Sequence, residues 1–195
     1  MDALMQGVRR VTRLGLWFGG ALVLAAAVLI GIDVCLRKFL ATSIGGADEL
    51  AGYALAIGTA WSLAAALVDR GHIRIDSLYV LFPARLRLAL DFLGLALFVG
   101  FFALIARHGW NVVVQSWTAG SRSQSALQTP TVIPQAIWFV GMAFFVAVGV
   151  VLFAYALRLA VRGKRGEVAA AIGTRSAEED VKAELESLAA RQSPH

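Results

Sequence analysis

Four long apolar runs divide the chain, and most charged residues gather between them. Residues 14–32 and 50–68 each form a run of 19 residues without a charge, and residues 133–157 form one of 25. Another run, residues 86–106, carries two charges near its start. Nineteen helical residues cover about 28 Å, close to the hydrocarbon thickness of a bilayer. The pattern predicts an all-α, polytopic membrane protein whose four transmembrane helices lie at about residues 14–36, 49–68, 86–106 and 133–157.

The segments outside these runs predict the remaining organisation. We expect an N-terminal arm, a four-span membrane domain and a tail, at residues 1–13, 14–161 and 162–195. The first run lacks a small-residue cleavage site near residue 30, so we expect it to be retained as a span rather than removed as a signal peptide.

Two shorter elements are predicted outside the spans. The linker at residues 69–87 combines apolar side chains with arginines, which is typical of an amphipathic segment lying in the membrane interface. In the tail, Ser176 and Glu179 have the spacing of a capping box, and apolar residues follow at helical intervals. This spacing predicts a short cytoplasmic C-terminal helix.

The basic residues indicate the orientation of the bundle. Of 18 Lys and Arg residues, three lie in the N-terminal arm, four in the linker at residues 69–87 and seven from Arg158 to the end of the tail. The other two linkers carry two each. Because cytoplasmic segments carry the excess of Lys and Arg, both termini and the linker at residues 69–87 are predicted to be cytoplasmic.

Composition excludes several other functions. The net charge of +5 could suggest nucleic acid, but the basic residues flank apolar runs, where they set orientation, so we expect no nucleic-acid partner. Cys35 is the single cysteine, which excludes an internal disulfide and oxidoreductases that need a cysteine pair. The three histidines, His72, His108 and His195, cannot face each other at mid-membrane, which argues against a bis-histidine haem site.

The sequence offers no motif for catalysis and no central charge for transport. It contains no phosphate-binding glycine loop, serine elbow or metal-spaced His/Cys set, so neither an enzyme nor a bound cofactor or metal is expected. Ion-coupled carriers place ionisable groups or broken helices near the midplane, whereas these spans are continuous with uncharged centres. The chain alone therefore lacks the features expected for binding a substrate anion, and it is better suited to act as a scaffold for another protein.

Residues at the span ends predict how the first two helices meet. Asp33 and Arg37 are four residues apart, so they can pair on one helical face. Gly15 and Gly19 in the first span, and a row of alanines in the second, allow another helix to approach closely. Such small residues serve either packing within the bundle or a partner surface.

Three motifs indicate a known family. An arginine after the first span, Arg37, precedes an acidic start to the second at Asp48 and Glu49. Residues 70–76 read Arg-Gly-His-Ile-Arg-Ile-Asp after the second span, and Pro134 leads the fourth. In these motifs and in its four-span layout, the chain resembles the small permease subunit of tripartite ATP-independent periplasmic (TRAP) transporters over about residues 14–161.

The resemblance implies a partner-dependent role in a bacterial or archaeal inner membrane. The small subunit would dock beside a large permease subunit that holds the substrate and sodium sites, while a periplasmic substrate-binding protein delivers an organic acid. Two alternatives remain at this point, a stand-alone structural or regulatory membrane protein and an independent small carrier.

Six residues are candidates for structural or partner contacts. We expect Arg37 and Glu49 to hold the first two helices together near the periplasmic face. We expect Arg70, His72, Arg74 and Asp76 to organise the cytoplasmic linker against lipid headgroups or the large subunit. Ordinary snorkelling and solvation of these side chains is the alternative.

Overall fold

The computed structural model describes residues 3–71, residues 82–173 and Leu185. Five helices account for most of these residues: α1 Ala3–Leu40, α2 Ala47–Val68, α3 Ala84–Thr118, α4 Val132–Val161 and α5 Arg165–Ile172. The described part contains no β-strand, only an isolated bridge between Arg122 and Pro130. The helices α1 to α4 are each long and apolar enough to cross a membrane. The prediction of an all-α protein with four membrane-spanning helices is confirmed.

All four spanning helices extend beyond the predicted spans, and two of them do so by more than ten residues. The helix α1 already begins at Ala3, and α3 continues past Ala106 to Thr118, where a polar connection was expected from Arg107 onward. Extending an existing helix is easier than starting one, and polarity alone does not stop it. The chain leaves α3 only near Gly120, whose φ of 58° is a left-handed conformation that favours glycine.

Two predicted elements fall largely outside the described residues. Most of the predicted interfacial segment at residues 69–87 lies there, as does most of the predicted tail helix. The helix α5 was not predicted. It follows a turn at Gly163 and carries a 2.7 Å ion pair between Lys164 and Glu167.

The helices α2 and α4 form the centre of the bundle. The main contacts join α1 to α2, α2 to α4, and α4 to α3, while α5 packs on the ends of α4 and α3. Ala64 in α2 and Phe145 and Ala156 in α4 are completely buried within one apolar core. Because small side chains in α2 oppose larger ones in α4, the two helices can pack closely.

Trp61 connects three of the helices. Its indole N–H donates to the backbone oxygen of Ile137 in α4 at 3.1 Å, and its ring stacks on Phe144. A β-carbon at Gly141 would lie 2.6 Å from the Trp61 ring, and one at Gly15 in α1 would lie 2.9 Å from the Trp61 backbone oxygen. Glycine at position 141 therefore leaves room for the Trp61 ring, and glycine at position 15 lets α1 approach the Trp61 backbone.

Large apolar side chains cover the outward faces of the two outer helices. Trp17 and Leu24 in α1 are 73% and 67% exposed, and Leu97 and Phe101 in α3 are 65% and 60% exposed. Such faces suit contact with lipid or with another membrane helix, since neither contact requires polar surface.

Candidate functional site

Three of the six residues predicted to make structural or partner contacts are described, Arg37, Glu49 and Arg70. Arg37 and Glu49 lie where α1 ends, α2 begins and the α3–α4 connection passes. We call the group of side chains there the polar cluster, and its members are Asp33, Arg37, Ser43, Asp48, Glu49 and Ser125. Arg70 lies at the opposite end of the bundle, just after α2.

Asp33 organises the turn between α1 and α2. Its side chain is only 1% exposed, and its Oδ1 accepts the backbone N–H of Ile44 at 2.7 Å and the hydroxyl of Ser43 at 2.9 Å. Its Oδ2 lies 2.6 Å from Nη2 of Arg37, which confirms the predicted ion pair. A carboxylate at the end of α1 thus fixes the chain that leads into α2.

Arg37 also reaches the second helix. Its Nη2 lies 3.4 Å from Oδ2 of Asp48 in the first turn of α2. The Arg37 and Asp48 side chains are 51% and 79% exposed, so water screens this contact far more than the contact with Asp33. Of the two adjacent acidic residues, Asp48 is the one that the structure places against Arg37.

Glu49 points instead toward the α3–α4 connection. The hydroxyl of Ser125 donates to its Oε2, and the hydroxyl groups of Tyr53, Ser123 and Thr129 surround the same carboxylate. Its Oε1 is buried without a hydrogen-bond partner among the described residues. Glu49 therefore ties α2 to the segment between α3 and α4. The sequence analysis did not predict this contact. The Ser- and Thr-rich composition of residues 121–131 is the feature that could have indicated it.

An apolar contact supports the same connection. Gly46, at the start of α2, has a φ of 96°, and a β-carbon there would lie 2.5 Å from Cδ1 of Leu127. The hydroxyl of Ser125 accepts the backbone N–H of Leu127 at 3.1 Å. Polar and apolar contacts together hold the α3–α4 connection over the end of α2.

At the opposite end, Arg70 contacts the helix that was not predicted. Its Nη1 lies 3.4 Å from the backbone oxygen of Ala169 in α5. This contact joins the end of α2 to α5, whose Val168 and Ile172 side chains are buried against the bundle. His72, Arg74 and Asp76 lie outside the described residues, and their roles stay predictions.

These groups can hold helices together, and the described geometry assigns them no other chemistry. Within residues 3–71 and 82–173, no group of three or more His, Cys, Asp or Glu side chains could hold a metal ion. The carboxylates of Asp33 and Glu49 are engaged by Arg37, by hydroxyl groups and by a backbone N–H. The arrangement therefore connects α1, α2 and the α3–α4 connection at one end of the bundle.

No curated protein and no solved structure matches the chain. The model of one family, described as tripartite ATP-independent periplasmic transporters, DctQ component, matches residues 26–159. The match extends from the middle of α1 nearly to the end of α4, and it includes Arg37, Asp48, Glu49 and residues 70–76. The chain therefore belongs to the DctQ family, the small membrane component of TRAP transporters.

Proposed function

We propose that this small TRAP subunit is a scaffold. It stabilises a large permease subunit during sodium-driven uptake of an organic acid, which a periplasmic binding protein delivers. The family match carries the proposal, because it makes the chain one component of a transporter with several components.

The uncharged centres of the helices support a role without substrate binding. Residues 14–32, 50–68 and 133–157 contain no charged side chain, and Asp91 in α3 lies near the start of that helix. Carriers that couple ions to an anion need ionisable groups, broken helices or free helix ends near the midplane. We therefore assign the substrate and sodium sites to the large subunit.

A fixed neighbour is what a moving transport element needs. The centre of this bundle is a close contact between α2 and α4, strengthened by the hydrogen bond from Trp61 to Ile137. The apolar outward faces of α1 and α3 provide surface for lipid or for the large subunit. A rigid bundle with such faces can enlarge the area over which its partner is embedded in the bilayer, and it can hold the partner in position there.

The location that fits this role is the inner membrane, with both termini in the cytoplasm. The distribution of Lys and Arg supports this orientation. The polar cluster then faces the periplasm and α5 faces the cytoplasm. In this arrangement Arg37 and Glu49 hold the periplasmic end together, while Arg70, His72, Arg74 and Asp76 organise the cytoplasmic linker against headgroups or the large subunit.

Reconstitution into vesicles tests the proposed function. We expect uptake of the organic acid only when this chain, the large subunit and the binding protein are present together with a sodium gradient. Uptake by this chain alone would show an independent carrier. Full uptake by the other two components without this chain would contradict the scaffold.

Single substitutions test the cytoplasmic linker. If Arg74 and Asp76 contact the large subunit, then Arg74→Gln and Asp76→Asn each reduce the amount of large subunit that co-purifies with the tagged chain. Arg191→Gln, a charge change in the distant tail, is the matched control and should have no effect. Unchanged assembly in all three variants would remove the partner-contact role.

A further inference from the structure

A pocket of about 390 Å³ lies at the end of the bundle where α5 packs. Its volume is near the lower end of the range typical of ligand pockets. Three buried apolar side chains form what we call the floor of the pocket, Met5 of α1, Val68 of α2 and Leu152 of α4. Two exposed charged side chains form what we call its rim, Arg9 of α1 and Glu167 of α5. The pocket therefore has an apolar part and a charged part.

The pocket lies at one boundary of the proposed membrane-spanning segments. Val68 is the last residue of the uncharged run at residues 50–68. Tyr155, which also lines the pocket, lies two residues before the end of the run at residues 133–157. Tyrosine is enriched at the level of the lipid headgroups. A phospholipid is therefore an amphiphile that the surroundings of this pocket supply.

The rim carries one charge of each sign. Arg9 has no ion-pair partner among the residues that the structure describes. Glu167 pairs through its Oε1 with Lys164 at 2.7 Å, and the second oxygen of a carboxylate can accept a further donor. An occupant that matches the rim must present an anion to Arg9 and a positively charged donor to Glu167.

We propose that the pocket binds one molecule of phosphatidylethanolamine. The phosphate lies at Arg9, the ammonium group donates to Glu167, and the first part of one acyl chain lies on the floor. Phosphatidylcholine matches the rim less well, because its quaternary nitrogen has no N–H to donate. Phosphatidylglycerol offers Glu167 only neutral hydroxyl groups. One zwitterionic lipid therefore accounts for the floor and for both charges of the rim.

A segment of the large subunit is a weaker candidate for this pocket. The family match spans residues 26–159, whereas Met5, Arg9 and Glu167 lie outside it. A surface for the partner that the whole family shares is expected within the matched residues. The lipid site does not depend on the scaffold role, so it can be tested on the isolated chain.

Native mass spectrometry of the full-length chain in mild detergent, titrated with dioleoyl phosphatidylethanolamine, tests the proposal. We expect one retained lipid in the wild type. Arg9→Gln and Glu167→Gln should each weaken binding about tenfold, the lower end of what a charge-assisted hydrogen bond contributes, since both side chains are exposed. Arg10→Gln, an equal charge change at an exposed neighbour that does not line the pocket, should leave binding unchanged.

A second pair of variants tests whether the lipid occupies the pocket itself. Ala170 of α5 lines the pocket, so Ala170→Trp should fill it and abolish the retained lipid. Ala169→Trp places the same ring one residue earlier in α5, outside the lining of the pocket, and should retain the lipid. Both alanines are exposed, so neither substitution changes the buried core.

Four results would overturn the proposal. The first is equal retention of the lipid by Ala170→Trp and Ala169→Trp. The second is equal weakening by Arg9→Gln and Arg10→Gln, which would show a general attraction to basic surface. The third is equally tight binding of dioleoyl phosphatidylcholine or dioleoyl phosphatidylglycerol. The fourth is equally tight binding of glycerophosphoethanolamine, which has the same headgroup without acyl chains and would make the ligand a soluble one.

Discussion

Gly19 of α1 and Gly58 of α2 meet so closely that neither helix has room for a β-carbon. A β-carbon on Gly19 would lie 2.4 Å from the backbone oxygen of Gly58 and 2.4 Å from Oγ of Ser62. A β-carbon on Gly58 would lie 2.8 Å from the backbone oxygen of Gly19. Membrane helices gain stability from such close packing, because lipid tails provide no hydrophobic drive toward association.

The first prediction is that Gly19→Ala destabilises the protein. The backbone oxygen of Gly58 cannot move aside as a flexible side chain would, so the two helices must separate. We expect a loss of about 1–3 kcal/mol in the free energy of unfolding, the usual cost of overpacking. Reversible unfolding of the purified chain in mixed detergent micelles measures this loss.

The neighbouring glycine provides the control. A β-carbon on Gly20 would meet no described atom within 4 Å. We expect Gly20→Ala to change the free energy of unfolding by no more than about 1 kcal/mol, in the stabilising direction, because alanine favours the helix. Equal destabilisation by both substitutions would show that the contact between Gly19 and Gly58 is not the cause.

The second prediction concerns the buried carboxylate of the polar cluster. Asp33→Ala removes the acceptor of the Ile44 N–H and the Ser43 hydroxyl and leaves these groups unpaired at the end of α1. Asp33 itself is only 1% exposed, so its ion pair and hydrogen bonds are shielded from water and contribute more than an exposed contact does. We therefore expect Asp33→Ala to lower the Tm several times as far as Asp48→Ala, measured by thermal unfolding in detergent.

Asp48→Ala is the matched control because it removes the other carboxylate that contacts Arg37. Asp48 is 79% exposed and lies 3.4 Å from Arg37, and exposed pairs of this kind contribute little. Adding salt should reduce the small effect of Asp48→Ala further, while the effect of Asp33→Ala persists. Similar Tm values for the two variants would contradict the assigned role of Asp33.

The sequence predicted the membrane helices because lipid demands long uncharged runs, and the interruptions between the runs are clear. It also predicted the pair of Asp33 and Arg37, since residues four apart share a helical face. It named Glu49 together with Arg37 as holding the first two helices together, whereas the structure places Asp48 against Arg37. Adjacent side chains on a helix point about 100° apart, so the one that faces α1 depends on how α2 is rotated.

The sequence also did not predict the contacts between segments that lie far apart along the chain. Three of the hydroxyl groups around Glu49, those of Ser123, Ser125 and Thr129, come from a segment more than 70 residues later, and Trp61 binds a backbone oxygen 76 residues away. Neither contact leaves a periodic pattern in the sequence. The extension of α3 to Thr118 was missed because polar residues continue a helix as readily as they form a loop.

The third prediction concerns the hydrogen bond between α2 and α4. Trp61→Phe keeps an aromatic ring beside Phe144 but removes the N–H that donates to Ile137. We expect a loss of about 1 kcal/mol in the free energy of unfolding, the net contribution of a typical hydrogen bond, with a further cost for the smaller ring. Trp17→Phe, at a position 73% exposed, should have no measurable effect. Equal losses in both variants would contradict the role of the hydrogen bond.

The fourth prediction concerns the attachment of α5. This helix has eight residues, too few to be stable alone in water, so its structure depends on packing. Val168 is completely buried, and Val168→Ala should weaken its docking by about 1–3 kcal/mol. Limited proteolysis with trypsin, which cuts after Lys164 and Arg165, should then proceed about five- to 150-fold faster.

The exposed Val161 provides the control for α5. Val161 is 83% exposed at the end of α4, and Val161→Ala removes the same two methyl groups without affecting the core. We expect its cleavage rate to equal that of the wild type. Faster cleavage in both variants, or in neither, would show that burial of Val168 does not hold α5 in place.

The fifth prediction tests the orientation through single cysteines. Cys35→Ser yields a chain without cysteine, into which Thr42→Cys or Gly166→Cys is introduced at an exposed position. The excess of Lys and Arg places Thr42 in the periplasm and Gly166 in the cytoplasm. A maleimide that cannot cross the inner membrane should label the cysteine at residue 42 in intact cells and that at residue 166 only after the membrane is disrupted. The cysteine-free chain controls for background labelling. Labelling of residue 166 in intact cells, and of residue 42 only after disruption, would place the polar cluster in the cytoplasm, where a periplasmic binding protein cannot reach it.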